Sequence, residues 1–336
     1  MAETQLPTLV VDESNLALDA SADFSGAFSS AFGADGAGGI SYAFSLGGGP
    51  SGLVDVASGL DIVLGLNGGV VEGWVGGNPA VVAFTLSVDA SGTVTLDQLR
   101  ALQHPDGSDP NDAVSLASGA VSLVATITDR DGDQASASLD LGGLLSFHDD
   151  GPSISLADAE YPTLVVDESD LSIDASADFS GAFSSAFGAD GAGGISYAFS
   201  LGGGPSGLVD VASGLNIVLG LNGGVVEGWV GGNPAVVAFT LSVDASGTVT
   251  LDQLRALQHP DGSDPNDAVS LASGAVSLVA TITDRDGDQA SASLDMGGLL
   301  SFHDDGPSIS LADAEYPTLV VDESDLSIDA SADFSG

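Results

Sequence analysis

The chain repeats itself. Thr8-Leu-Val-Val-Asp-Glu-Ser14 returns at residues 163–169 and again at 318–324, a period of 155 residues. Residues 8–162 and 163–317 differ at five positions: Asn15/Asp170, Ala17/Ser172, Leu18/Ile173, Asp61/Asn216 and Leu141/Met296. A unit of this length far exceeds the roughly 20–45 residues of a solenoid module, so each copy should be a domain with its own core, and the molecule a string of domains or a rod. The expected division is a leader at 1–7, one β-sandwich at 8–150, a linker at 151–162, a second sandwich at 163–305, a linker at 306–317, and the opening of a third copy at 318–336. An apolar fraction of 43% is ample for a core in each copy.

Strand signals prevail within a copy. Residues 40–46 alternate apolar and polar side chains with a period of two. The segments 62–66 and 70–75 flank Asn67-Gly68, a hairpin turn signal; 83–88 and 93–96 flank Asp89-Ala-Ser-Gly92; 121–128 and 134–141 flank an Asp-rich stretch. One short helix is expected per copy, because Thr95-Leu-Asp-Gln98 reads as a capping box before Leu99-Arg-Ala-Leu102, with a stop at His104-Pro105. Many short strands with frequent Gly-rich turns indicate an all-β fold of tandem immunoglobulin-like antiparallel β-sandwiches, each with that one helix, forming an elongated rod.

Chemistry concentrates in the connecting loop of the third hairpin. Asp129-Arg-Asp131-Gly-Asp133 recurs as Asp284-Arg-Asp286-Gly-Asp288. Carboxylates at alternate positions, with Gly where the backbone turns, can converge on one hard cation, and Ca²⁺ is the expected ligand. The distal Glu of an EF-hand is missing, which favours a Ca²⁺ site built into a β-domain. A second acidic loop, Asp106-Gly-Ser-Asp109-Pro-Asn-Asp112, returns with Asp261, Asp264 and Asp267. Its spacing suits another Ca²⁺ site, but Asp, Asn, Pro and Gly are also what ordinary turns require.

In an immunoglobulin-like topology the loop between the last two strands lies at the entry end of a domain, and the final strand runs to the exit. The loop with Asp284, Asp286 and Asp288 should then lie beside the exit of the first copy at Asp149-Asp150, and Asp167-Glu168 can approach the same place. The equivalents Asp12-Glu13, Asp304-Asp305 and Asp322-Glu323 are candidates by repetition. Such a crowd of carboxylates is tolerable only with cations bound.

The charge balance supports this. The chain carries 48 acidic residues against four Arg and no Lys, a net charge of −44. Nucleic acid and anionic lipid are poor partners for such a surface. Bound divalent cations relieve self-repulsion that monovalent salt only screens. Cysteine is absent, so neither disulfides nor thiolate metal sites contribute. Residues 1–7 lack the basic and apolar segments of a cleavable signal, and no apolar run has membrane-spanning length.

Residues 94–105 (Val-Thr-Leu-Asp-Gln-Leu-Arg-Ala-Leu-Gln-His-Pro), 126–133 (Thr-Ile-Thr-Asp-Arg-Asp-Gly-Asp), 147–154 (Phe-His-Asp-Asp-Gly-Pro-Ser-Ile) and 9–14 (Leu-Val-Val-Asp-Glu-Ser) together resemble the long tandem repeats of type I-secreted RTX adhesins, the giant surface proteins of bacterial biofilms. The resemblance covers essentially each whole copy. It implies extender domains that hold an adhesive tip away from the cell and are rigidified by Ca²⁺ at their joints. It further implies an extracellular location, an export signal at the far C-terminus of the protein, and a surface target bound by other domains. The partners expected for this segment are neighbouring repeats of the same chain, with no membrane insertion and a monomeric state. Carboxylate crowding also disfavours folding in a Ca²⁺-poor cytosol, so folding would be coupled to arrival outside.

An enzyme is not expected. His104 and His148 sit in no nucleophile or zinc motif, and no phosphate loop or cofactor fingerprint occurs. The alternative to a spacer is a module that binds a surface glycan or ice, with Trp74 and Tyr42 as a platform, although aromatic residues in a sandwich more often serve the core.

Overall fold

A computed structural model describes residues 5–307, 309–311, 315–325 and 327–334. The first copy contains β1 (Leu9–Asp12), β2 (Ala20–Asp23), β3 (Ala37–Leu46), β4 (Val54–Asp55), β5 (Leu60–Asn67), β6 (Val70–Val75), β7 (Val82–Val88), β8 (Thr93–Gln98), β9 (Ala113–Ser115), β10 (Val121–Asp129), β11 (Gln134–Asp140) and β12 (Leu145–His148). The second contains β13 (Ser153–Leu156), β14 (Leu164–Asp167), β15 (Ala175–Asp178), β16 (Phe183–Ala186), β17 (Ala192–Leu201), β18 (Ile217–Asn222), β19 (Val225–Val230), β20 (Val237–Val243), β21 (Thr248–Gln253), β22 (Ala268–Val269), β23 (Val276–Asp284), β24 (Gln289–Asp295) and β25 (Leu300–His303). The chain is all-β, as the alternation and turn signals require.

In the first copy a six-stranded antiparallel sheet, ordered β2-β8-β7-β6-β5-β4, faces a three-stranded sheet ordered β11-β10-β3. Their inner faces enclose Phe24, Phe84, Leu86, Leu96 and Leu123, all fully buried. A third sheet, β1-β12-β9, closes the core with Phe147, whose ring stands 5.3 Å from Phe84 at 57°. The second copy repeats this, with Phe239 5.3 Å from Phe302. Leu141 and Met296 are both fully buried at equivalent places, a swap that conserves volume and leaves the packing intact.

Two glycines are dictated by close approach on the six-stranded sheet. A Cβ on Gly73 would lie 2.4 Å from the Phe84 ring, and one on Gly65 would lie 2.0 Å from Trp74. The indole thus lies flat over Gly65 on the outer face, half-exposed, and its Nε1 donates to Glu72 at 2.7 Å. Trp74 is therefore not a core residue, contrary to the commoner placement of aromatics in sandwiches. Tyr42 packs against Phe28 at 6.1 Å.

The expected helix after Thr95 does not form. Thr93–Gln98 is a strand with strictly alternating burial, and the chain beyond it is held extended by bonds from Leu99 N and Arg100 N to the Ala83 carbonyl at 2.8 and 3.1 Å. The residues of the apparent capping box face across strands instead: the Thr95 hydroxyl meets Ser21 at 2.9 Å, and the Gln98 amide donates to Glu13 at 2.7 Å. Tertiary pairing overrides a four-residue helix signal that has no length behind it.

Two placements fix where the acidic groups gather. β1 runs parallel to β12, with Asp12 opposite His148, so the end of the first strand lies at the exit of its own copy. The segment read as a linker at 151–162 carries β13, which pairs antiparallel with β16 and packs Ile154 against the second core.

Candidate metal centre at the joint between repeats

Four segments of the first copy end at its exit. The turn after β1 supplies Glu13, the chain after β8 supplies His104, the approach to β9 supplies Asp112, and β12 runs out into Asp149-Asp150. From the second copy come the loop before β17, with Asp190, and the loop between β23 and β24, with Asp284, Asp286 and Asp288. That second loop is aimed by a bulge: the register of β17 and β23 shifts between Ala192 and Gly194, and a Cβ on the intervening Gly193 would lie 2.0 Å from the Asp284 carbonyl oxygen. Gly287, at φ 119°, completes the turn.

At the joint, Asp149, Asp190 and Asp286 bring ligand atoms within 4.8 Å of one another, and Glu13, His104 and Asp149 do the same beside them. The two copies are bonded across the gap: His104 N donates to Asp286 Oδ2 at 3.1 Å, and Ala189 N donates to Asp150 Oδ2 at 3.1 Å. Gly107 lies backbone to backbone on Gly287, where a Cβ would meet the carbonyl carbon at 3.1 Å.

Glu13, Asp149, Asp190, Asp284 and Asp288 are each at most 3% exposed. Few of their oxygens are satisfied. Glu13 Oε1 accepts from Gln98 and from Leu102 N at 2.9 Å, and Asp284 Oδ1 accepts from Gly287 N and Asp288 N. Glu13 Oε2, Asp284 Oδ2, Asp286 Oδ1 and both carboxylate oxygens of Asp190 and Asp288 have no hydrogen-bond partner among the described residues. Buried acceptors without donors are rare, because each loses its hydration uncompensated.

Burial, reinforced by Glu13, Asp286 and Asp149, pushes the Asp190 carboxyl up to about 9. Burial and then Asp149, Asp286 and Asp112 raise Asp288 to about 7. Asp284 rises to about 6 by burial and its neighbour Asp286, and burial also raises Asp149. Burial alone would lower His104, but Glu13, Asp149 and Asp112 carry its net shift upward. Its Nδ1 lies 3.0 Å from Asp112 Oδ1.

No guanidinium relieves this crowd. Arg100 and Arg255 are committed within their own copies, each by a bidentate pair, to Asp55 and Asp210 at 2.7 Å. Arg285 reaches only the carbonyl oxygen of Asp190, at 3.4 Å.

The same loop in the first copy is a built-in comparison. There Asp129, Asp131 and Asp35 (the counterpart of Asp190) gather at an uncovered end. Asp129 is held below its ordinary value, first by a side-chain hydrogen bond with Asp131 and then, against burial, by the backbone N–H groups of the loop. Asp133 N also donates to Asp129 Oδ1, at 2.8 Å, and the Asp133 side chain is exposed. Identical residues shift in opposite directions because only the second loop is covered by a neighbouring repeat.

The remaining candidates lie elsewhere. Asp167 and Glu168 do not reach the joint: β14 runs parallel to β25 and delivers them to the exit of the second copy, where Glu168 gathers with His259 and Asp304. Asp305 N donates to Asp304 Oδ1, and Asp267 pairs with His259 at 3.1 Å. Asp12, Asp167 and Asp322 accept from the backbone N–H two residues on. Asp106, Asp109, Asp261 and Asp264 close turns in the same way, so that in the second acidic loop only Asp112 and its counterpart Asp267 reach a cluster of acids. Glu323 is exposed. Asp190 escaped the sequence reading because it stands alone in a Gly-rich loop; its one signal was an isolated acid repeated at Asp35.

The donor set suits a hard cation. Ca²⁺ takes six to eight oxygens; Asp149, Asp190 and Asp286 bring carboxylate oxygens within 4.8 Å of one another, and Glu13, Asp284 and Asp288 add buried, unpartnered oxygens on the segments around them. A bound cation would supply the positive charge that this cluster lacks.

The fold and site define a tandem array of all-β domains with an acidic joint between them. The chain belongs to the family described as "Domain of unknown function (DUF5801)", whose model matches residues 8–142 and 163–297. Among solved structures it is similar to protocadherin gamma B2 extracellular cadherin domains 3–6, at 14% identity and TM-score 0.25, over 84% of this chain and 54% of that one. It is also similar to protocadherin gamma B7 extracellular cadherin domains 1–4, at 13% identity and TM-score 0.18, over 77% and 49%. The chain thus spans about half the length of those structures. No curated protein matches.

Proposed function

We propose that this chain is an extender segment of a secreted bacterial surface adhesin of the RTX type, in which Ca²⁺ at the joint stiffens successive repeats. The observation that carries the reading is the set of buried, unpartnered carboxylate oxygens contributed by both copies at one interface. Without a cation these charges disfavour closure of the joint; with one they become the ligands that hold it closed. The output of such a segment is length and stiffness, which near-identical copies supply by addition. Adhesion to a target then belongs to other domains of the protein, and the segment's own partners are its neighbouring repeats.

Small-angle scattering of the chain in millimolar Ca²⁺ and in excess chelator tests this. Extracellular modules of this kind load with dissociation constants of about 10⁻⁴–10⁻³ M. A rod-like profile in Ca²⁺, with a radius of gyration well above the roughly 20 Å of a globule this long, becoming flexible in chelator, is the expected result. Identical profiles and melting curves in both conditions would overturn it.

A further inference from the structure

One buried group at the joint is not of the oxygen chemistry that Ca²⁺ requires. His104 and Glu13 are each 2% exposed and Asp149 is 3% exposed, and the three offer ligand atoms within 4.8 Å of one another. Glu13 and His104 stand 91 residues apart in the chain, so no spacing motif joins them. The fold does: parallel pairing sets Asp12 opposite His148, so the residues that follow, Glu13 and Asp149, leave their strands side by side, and the chain after β8 brings the imidazole to them.

The ring faces a carboxylate at both nitrogens. His104 Nε2 lies 3.4 Å from Glu13 Oε1, and Nδ1 lies 3.0 Å from Asp112 Oδ1 without the alignment of a hydrogen bond. A neutral imidazole has one N–H, so one of its nitrogens turns a lone pair towards a carboxylate oxygen. Asp112 favours the proton on Nδ1 and leaves the lone pair on Nε2, the arrangement in which a carboxylate orients a metal-ligating histidine. The 3.4 Å from Nε2 to Oε1 is long for a hydrogen bond. It matches the edge, about 3.3–3.4 Å, of a tetrahedron with the bonds of about 2.0–2.1 Å that Zn²⁺ makes to imidazole and carboxylate. Glu13 Oε2 is buried with no hydrogen-bond partner among the described residues. A second proton on the ring would satisfy Nε2 but not that oxygen, whereas a divalent ion answers both.

The second copy builds the same group from its own residues. Glu168, His259 and Asp304 gather within 4.8 Å, with His259 Nε2 3.3 Å from Glu168 Oε1 and Nδ1 3.1 Å from Asp267 Oδ1.

We propose that each repeat carries a second cation site, Glu13, His104 and Asp149 in the first copy and Glu168, His259 and Asp304 in the second, which takes a borderline divalent transition ion of the Zn²⁺ class. Imidazole selects such an ion over Ca²⁺, and three protein ligands leave a fourth position for water. Asp112 and Asp267 are positioning residues for the two rings. Asp149 belongs also to the group with Asp190 and Asp286, and the His104 backbone N–H donates to Asp286, so a loaded site fixes two groups that meet the acids of the second copy. The site shares Asp149 with the Ca²⁺ reading but does not rest on it, because all its ligands come from one repeat.

Zn²⁺ titrated into the full chain, with millimolar Ca²⁺ present to fill the oxygen-only sites, should saturate at one ion per repeat by about 10⁻⁵ M, at least about tenfold below the range of extracellular Ca²⁺ modules. X-ray absorption of the Zn²⁺-loaded chain should show imidazole among the ligands. Glu13→Gln keeps an acceptor for Gln98 and Leu102 N, so the fold stands, and should weaken the first site at least about tenfold. Asp112→Asn keeps the acceptor for Asp106 N and should weaken it about 10–100-fold. His148→Gln, outside both groups, should change nothing, and the pair His104→Gln with His259→Gln should lose both ions and the imidazole signal. No saturable Zn²⁺ binding in millimolar Ca²⁺, oxygen ligands alone in the absorption spectrum, or binding that survives both Glu13→Gln and Asp112→Asn would overturn the proposal. Any of these beside Ca²⁺-dependent stiffening overturns this site alone, and tight Zn²⁺ binding in a chain that Ca²⁺ does not stiffen supports it while overturning the Ca²⁺ reading.

Discussion

Asp190→Asn separates the two roles of the joint carboxylates. The ordinary value for this carboxyl is 3.8, and in the joint it stands at about 9. At pH 7, closing a cation-free joint around Asp190 therefore means binding a proton against a gap of about three decades, about 4 kcal/mol at 1.36 kcal/mol per decade. This is an upper bound, since water at the rim of the joint screens it. The amide of Asn needs no proton. In chelator the variant should therefore favour the closed joint by up to about 10³-fold over the parent, while in Ca²⁺ it has lost a charged ligand and should need at least about tenfold more cation to close. Single-molecule energy transfer reads both, with dyes on Ala90→Cys and Ala245→Cys, exposed sites at equivalent hairpin tips of the two copies in a chain that has no other cysteine. An Asp190→Asn joint as open as the parent in chelator, or a Ca²⁺ midpoint that does not move, would refute the argument.

Three further outcomes are expected. In chelator, raising the pH from 5 to 10 should open the joint: the carboxyls of Asp284, Asp288 and Asp190 are raised to about 6, 7 and 9, so their contribution to closure is complete below the unfolded values and is lost as pH climbs through these three, an effect Ca²⁺ should suppress in the same energy-transfer assay. Arg100→Ala leaves the fully buried Asp55 carboxylate without its bidentate partner and should destabilise the first copy by about 3 kcal/mol in thermal unfolding. Gly73→Ala drives a Cβ to 2.4 Å from the Phe84 ring and should cost about 1–3 kcal/mol in the same measurement, with the Ca²⁺ midpoint unchanged.

Sequence alone determined the repeating unit, the all-β class and the hairpins, because these follow from local periodicity and turn chemistry: the 60–75 hairpin turns at Gly68 and Gly69, with φ of 60° and 93°, beside the Asn-Gly signal that marks it. It also singled out the Asp-x-Asp-Gly-Asp loop as a place of chemistry. It misread the four residues after Thr95 as a helix start, since their fate is set by Glu13 and Ala83, which lie far from them in the chain. Only the tertiary structure decided which acids meet. Parallel pairing of β1 with β12 carries Glu13 to the exit of its copy and, by the same rule, carries Asp167 and Glu168 away from the joint. Asp190 joins from a Gly-rich loop with no motif of its own. Asp129 and Asp284 stand in identical local sequences, yet one is held low and the other driven up, because desolvation and the field of neighbouring charges depend on what covers a loop and not on the residues within it.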